Sequence, residues 1–210
     1  NMTTAKRITD VWTVAAVAMG IVGMTIGAAN ADIIGFEAES GTLGADFDPA
    51  LADATALGGF YITTETNNTG NPDSDRPNSN DFTVSYSLSV PAGTYDVYVR
   101  GRIGPRGSND DSFYYAKAFG DADPTVAGDW EMVNGGFVPS GSFGWSSALD
   151  ATVTSAGGTV QWKVGAREDG FDMDGFALVT TGQSVTDTDL DHAVDPPPIA
   201  VTSPSVTNVS

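Results

Sequence analysis

The run Phe82-Thr83-Val84-Ser85-Tyr86-Ser87-Leu88-Ser89-Val90-Pro91-Ala92-Gly93-Thr94-Tyr95-Asp96-Val97-Tyr98-Val99-Arg100 decides the fold class. Phe82, Val84, Tyr86, Leu88 and Val90 alternate with Thr and Ser, the period-two pattern of a strand with one face on a core. Pro91-Ala92-Gly93 reads as a turn. Beyond it Tyr95, Val97 and Val99 alternate with Asp96, Tyr98 and Arg100, so the spacing predicts a hairpin over residues 82–102. Working outward, further strands are expected at 33–39, 58–64, 112–119, 145–153, 159–164 and 174–180, separated by Gly, Asp and Asn turns. No window between them carries a helical stripe. About eight short strands of this kind predict an all-β fold, a jelly-roll β-sandwich.

The flanks read differently. Lys6 and Arg7 precede an uncharged run from Val11 to Ala29, and Ala29-Asn30-Ala31 has the small-x-small spacing that signal peptidase accepts. Residues 1–31 are therefore expected to be a cleaved signal peptide, with a retained membrane anchor as the alternative, since the run is just long enough to span. From Gly182 the chain turns to Thr, Ser, Asp and Pro, with Pro196-Pro197-Pro198. Residues 182–210 are expected to be a semi-extended linker, with a further module after it. The body is then residues 32–181.

Charge narrows the function. The 210 residues hold 27 acids against 9 Lys plus Arg, a net charge of −18. All the acids but Asp10, Asp187, Asp189, Asp191 and Asp195 lie in the body. A phosphate backbone needs clustered cations, so nucleic acid is excluded as a partner. An anionic membrane surface is equally unsuited. The 25 glycines stand well above the roughly 7% average and fit a turn-rich sandwich. With no cysteine, disulfides, thiolate metal sites and cysteine nucleophiles are absent. The single histidine, His192, lies in the tail, which removes serine–histidine triads from the body.

Five stretches fall in a recognisable order: Phe36-Glu37-Ala38-Glu39; Gly58-Gly59-Phe60-Tyr61-Ile62; Tyr86 through Arg100; Asp111-Ser112-Phe113-Tyr114-Tyr115; and Arg167-Glu168-Asp169-Gly170-Phe171-Asp172-Met173-Asp174-Gly175-Phe176. Together they resemble the galactose-binding-like β-sandwich modules, above all carbohydrate-binding modules of families six and thirty-five. The resemblance spans nearly all of residues 33–180. It implies a structural calcium (Ca2+) that ties the first strand to the last through Glu37, Glu39 and Asp174. The residues themselves allow two readings. Glu37 and Glu39, two apart on a strand, share a face, and carboxylates so placed repel unless a cation sits between them. They are also what a solvated edge strand carries. Calcium wants six to eight oxygens, and backbone carbonyls and water would complete the set.

The resemblance further implies a sugar cleft at the end of the sandwich bounded by loops 101–110 and 167–172. Sugar sites stack an aromatic ring on the pyranose and bind its hydroxyls with polar side chains. Trp130, between Asp129 and Glu131, is expected to be exposed and is the first stacking candidate. Trp145 could be core or rim. Trp162, flanked by Val160 and Val164, reads as core. In Phe113-Tyr114-Tyr115 one ring must face away from its neighbours, which makes Tyr114 a candidate. Arg100, Arg102, Arg106, Glu168, Asp169 and Asp172 are the polar candidates. The closing motif has Asp172 or Met173 where better-studied members carry Asn, and Gly175 where they carry an aromatic. Two weaker acidic patterns, Asn71-x-Asp73-x-Asp75 and Asp187-x-Asp189-x-Asp191 with Asp195, have calcium-like spacing but lack the expected glycine.

Three functions compete. The first is a non-catalytic carbohydrate-binding module of a secreted or extracellular protein at a bacterial cell surface, stabilised by calcium and binding a polysaccharide or a glycoprotein glycan. The second is a structural or adhesive surface domain that self-associates. The third is a fragment of a glycan-active enzyme, which needs two free carboxylates in a deep pocket. An exposed aromatic beside a groove, a large apolar interface, or such a carboxylate pair would separate them.

Overall fold

The computed structural model describes residues 33–69 and 75–195. The expected signal segment, Asn71 and Asp73 of the acidic loop, and Pro196 to Pro198 lie outside the described residues. The chain opens with β1 (Ile33–Glu37), β2 (Thr42–Leu43), β3 (Leu51–Ala52) and β4 (Phe60–Tyr61). Then come β5 (Thr83–Ile103), β6 (Ser112–Ala116), β7 (Trp130–Asn134), β8 (Gly144–Trp145), β9 (Val153–Ala166) and β10 (Phe171–Thr180). A helix, α1 (Asp187–Val194), follows. The strands pair antiparallel in the order β1-β10-β5-β9-β6-β7, with β2 and β8 also on β5, and β3-β4 forming a separate pair.

The expected hairpin is one uninterrupted strand. Its two halves do not pair with each other: Thr83 to Val90 face Gly165 to Gly158 of β9, and Tyr95 to Ile103 face Thr180 to Phe171 of β10. The ladder with β9 runs from Val90↔Gly158 to Ala92↔Ala156 and skips Pro91, which has no N–H to give. The Tyr95 hydroxyl donates to the Pro91 carbonyl at 3.0 Å and steadies this point. Period-two alternation reports strand conformation but not the partner, so a bent ribbon and a hairpin read alike.

The two halves of β5 belong to two layers whose inner faces meet. Phe36 of β1 lies 4.9 Å from Tyr86 of β5, and Phe176 of β10 lies edge-on to Trp162 of β9 at 5.7 Å, centroid to centroid. Phe113 and Phe171 stack at 5.2 Å across the same gap. Close-packed rings of this kind carry much of a sandwich core. The fold is an all-β sandwich. No helix among the described residues is long and apolar enough to cross a membrane.

The expected linker contains folded structure. Thr186 caps α1, accepting from Asp189 N–H at 3.2 Å, while Asp189 Oδ2 accepts from Thr186 N–H at 2.9 Å, a reciprocal capping box. Leu190 and Val194, four apart on one face, are buried. Leu190 packs with Ala177 and Val179, on the side of β10 away from the aromatic core, beside Ile33, Tyr98 and Trp145. A Cβ on Gly35 would stand 2.4 Å from the Ala193 carbonyl carbon, so glycine there lets the helix lie against β1. Asp189 and Asp191 are thus a cap and a helix-face residue rather than parts of a calcium repeat. The helix is hidden in sequence because its apolar face is only two residues wide. Leu190→Ala should cost about 2–3 kcal/mol, the low end for a buried leucine, in denaturant unfolding of the full chain; a solvated linker would show no change.

Candidate functional site

The sequence-predicted residues do not form one site. Arg100, Arg102, Asp172, Asp174 and Trp145 gather on the side of β5 and β10 that α1 partly covers. Asp174 is fully buried. Its carboxylate pairs with Arg100 and accepts from Leu57 N–H at 3.1 Å. Burial pushes the Asp174 carboxyl up, against the pull of Arg100. Arg100 also reaches Thr55 O at 3.4 Å and Asp191 at 3.5 Å, and Trp145 Nε1 donates to that same Asp191 oxygen at 2.8 Å. Arg102 donates twice to Asp172, at 2.9 and 2.7 Å, and once to Asp53 at 2.8 Å. Its guanidinium lies 4.3 Å from the Phe143 ring centroid and 5.1 Å from that of Tyr61. These arginines clamp loop 53–61 and the segment around Phe143 on to the sheet, and their hydrogen bonds are spent on that task.

Glu37 and Glu39 sit beside this cluster. β1 ends at Glu37 and residues Ala38–Ser40 form a 3-10 turn, so a turn brings the pair together where a continuous strand was expected. One oxygen of each, Glu37 Oε2 and Glu39 Oε2, is buried with no hydrogen-bond partner. Burial, then the charges of Glu39, Asp174 and Asp195, push the Glu37 carboxyl up to about 8. Burial raises Glu39 as well. Among the described residues no three carboxylate or histidine side chains are grouped closely enough to share a metal. Asp174, the expected third ligand, is turned to Arg100.

A separate cleft of about 460 Å³ opens at the loop end, where loops 104–111 and 167–170 meet residues 67–69. Arg106, Ser108, Asn109, Asn134, Arg167 and Glu168 line it. Arg106 donates through Nε to Asp110 Oδ1 at 2.8 Å and pairs with Asp169. Asp110 is fully buried, and a Cβ on Gly170 would collide with it at 2.2 Å. Arg167 donates to Ser112 Oγ at 2.6 Å and to Glu168 Oε1 at 3.0 Å, while Glu168 Oε2 accepts from Asp111 N–H at 2.8 Å. Arg167 Nε, Asp111 Oδ1 and Asn68 Oδ1 are buried without partners, but Asp111 and Asn68 do not line the cleft.

No family model matches the sequence, and no curated protein matches it. Solved structures do. A Podospora anserina β-(1,4)-mannanase described as GH26-CBM35 superposes with a TM-score of 0.50 at 15% identity, over 72% of this chain and 28% of that one. The fold is a galactose-binding-like β-sandwich. The C-terminal CBM6 of LamC, a laminarinase of Zobellia galactanivorans, gives 0.44 at 15% identity, over 71% of this chain and all of that one. An isomaltodextranase of Arthrobacter globiformis T6 gives 0.47 at 13%, over 70% and 23%. The chain thus spans less than a third of the mannanase and of the isomaltodextranase.

Within this sandwich the aromatic candidates lie inside. Trp130 is 2% exposed, and its Nε1 donates to Asp123 O at 2.8 Å. The neighbouring acids misled, because Trp130 begins β7 and pairs with Ala116 of β6, which turns its ring inward. Tyr114 is also fully buried. β6 lies between β9 and β7, and the loop carrying Pro77 packs over Gly165 beside Tyr114, so both faces of β6 are covered. Burial pushes the Tyr114 hydroxyl up to about 12, with Arg167 pulling the other way. Trp145 is half-buried, at the rim of the α1 contact. Asp169 joins the loop-end cleft, whereas Arg100, Arg102 and Asp172 do not. Asn109 and Asn134 were missed, because asparagine in a Gly-rich loop has no signal that separates ligand contact from turn chemistry. Trp130→Ala should lose about 3–5 kcal/mol of stability, as a core deletion does. A variant melting with the wild type would place the ring outside the core.

Proposed function

We propose that the chain is a non-catalytic carbohydrate-binding module of a secreted or cell-surface protein, bacterial in origin, that holds a polysaccharide or glycoprotein glycan in the loop-end cleft. The observation that carries this reading is the polar cleft itself, lined by Arg106, Ser108, Asn109, Asn134, Arg167 and Glu168. Sugar hydroxyls donate and accept, and so suit a mixture of free donors and acceptors. The carboxylates beside the cleft favour binding over catalysis. Glu168 and Asp169 are held by guanidinium or backbone N–H groups, and neither is poised as a free acid. A self-associating structural domain would need a contiguous apolar face. The large exposed hydrophobic residues among those described, Phe60, Val126 and Met132, are scattered over different segments. On a glycan array the full chain should bind a defined subset of glycans. Asn134→Ala should weaken that binding about tenfold, roughly 1.4 kcal/mol, with an unchanged melting curve. Binding unaffected by Asn134→Ala, and by Asn109→Ala beside it, would move the site elsewhere.

Structural calcium belongs to the same reading. Glu37 and Glu39 fit a cation through their orphaned oxygens, with backbone oxygens and water completing the shell and Asp174 adding charge from its pair with Arg100. The folded chain without metal keeps the Glu37 proton between its ordinary value of 4.5 and about 8, where the unfolded chain has released it. The native state then binds more protons, so metal-free stability falls as pH rises through that window. A divalent ion displaces the proton and reverses the loss. Calcium should therefore raise the melting temperature more at pH 8 than at pH 5. Glu37→Gln should remove the rise without lowering metal-free stability. A wild-type melting curve that ignores both chelator and calcium would eliminate the site.

A further inference from the structure

We infer that Arg106 is a glycan-contacting donor of the loop-end cleft and that Asp110, buried behind it, is the residue that positions it. This rests on the carbohydrate reading above and deepens it. The guanidinium has three nitrogens, and two are claimed. Nε donates to Asp110 Oδ1 at 2.8 Å, while Nη2 lies 2.7 Å from the same oxygen and also pairs with Asp169. Nη1, which carries two N–H groups, meets no acceptor among the described residues. Arg106 lines the cleft and its side chain is 47% exposed, so the unclaimed nitrogen belongs to a group that a glycan can reach. A sugar hydroxyl or ring oxygen is an acceptor for it. A solvated arginine must give up rotamer freedom when it meets a ligand. Here two acids have removed that freedom in the folded chain.

The loop is built around Asp110. That residue has no exposed surface. Its Oδ2 accepts from Arg106 backbone N–H at 2.8 Å, so one carboxylate grips both the backbone and the side chain of Arg106. Its own N–H donates to Gly107 O at 2.9 Å and closes the turn, in which Gly107 has φ +62°. Space for the carboxylate exists because two neighbours are glycines: a Cβ on Gly104 or Gly170 would stand 2.6 Å or 2.2 Å from it. Burying a carboxylate is unfavourable unless it is paired and hydrogen-bonded. The partner it is given is a side chain whose guanidinium remains at the cleft, with Asp169 of the facing loop holding it from a second side. An ion pair that served loop closure alone would not need that partner to be a cleft-lining group with an idle nitrogen.

The test uses the full chain, with the oligosaccharide that gives the strongest array signal, in soluble form, as the probe for calorimetry. Arg106→Ala should weaken binding at least tenfold. Arg106→Lys keeps the charge but cannot hold Asp110 and offer a second nitrogen at once, so it should bind no better than Arg106→Ala. Asp110→Asn should weaken binding to a similar degree, and adding it to Arg106→Ala should cause no further loss, because Asp110 acts through Arg106. Since Asp110→Asn can fail to fold, nitrogen-15 NMR of the wild type supplies a second measurement. The Arg106 Nε–H should be protected from exchange before any glycan is added, and the Arg106 guanidinium signals should shift as the probe is titrated in. Wild-type affinity in Arg106→Ala overturns the inference while leaving carbohydrate binding intact. Full affinity in Arg106→Lys, additive losses in the double variant, or a freely exchanging Nε–H overturns the positioning role of Asp110. A blank array removes the carbohydrate reading, and this inference with it.

Discussion

A carboxylate with no exposed surface, Asp174, sets the terms for half of this molecule. A charge taken out of water must be paired and hydrogen-bonded or it destabilises the fold. Arg100 supplies the pairing and Leu57 N–H the hydrogen bond. The same guanidinium reaches Thr55 O and Asp191, so β10, β5, loop 53–59 and α1 converge on one ion pair. Removing one partner of such a pair typically costs about 3–5 kcal/mol, because the other charge stays buried. Segments with few apolar residues of their own are thereby tied to the sheet. The negative field that Asp174 adds is felt next door, where it helps keep Glu37 protonated.

The loop end repeats this solution with different residues. Asp110 is buried, Gly170 leaves room for it, and Arg106 holds it through the side chain and through backbone N–H at 2.8 Å. Arg167 joins Ser112 of β6 to Glu168, which in turn holds Asp111. Loops that would otherwise be mobile are fixed by paired charges, so the cleft is shaped before any ligand arrives. Preorganisation of this kind limits the ordering entropy that binding must overcome.

How far the sequence could be read follows from what each pattern encodes. Alternation at Thr83 to Ile103 identified strand, and the order of motifs identified the sandwich, because burial of one face leaves a period that survives without knowledge of partners. Partners themselves left no trace, so a ribbon passing from layer to layer looked like a hairpin. The polar neighbours of Trp130 suggested exposure, yet a strand between two acids points its central ring to the other face. Tyr114 is covered by a loop remote in sequence, and no local pattern reports that. Helix α1 was missed because two apolar residues on an acidic background give almost no stripe. At the site, the charged residues stood out and the division of labour among them did not: Arg100 and Arg102 serve the sheet, while Arg106 and Arg167 serve the cleft.

That division explains why a chain so acidic folds with so few bases. Arg76, Arg100, Arg102, Arg106, Lys117, Lys163 and Arg167 are the Lys and Arg side chains among the described residues, and each has a carboxylate partner. Several of these pairs are well shielded and anchor loops; others, such as Lys117 with Glu131, are surface contacts of small energetic weight. In either case the positive charge is spent within the protein, and the excess acid faces outward. A polyanion approaching this surface meets net negative charge, and each Lys and Arg among the described residues already has a carboxylate partner. On the proposed reading, a cation would answer the carboxylate oxygens that Glu37 and Glu39 leave unpaired, and a glycan would meet the amides and hydroxyls of the loop-end cleft.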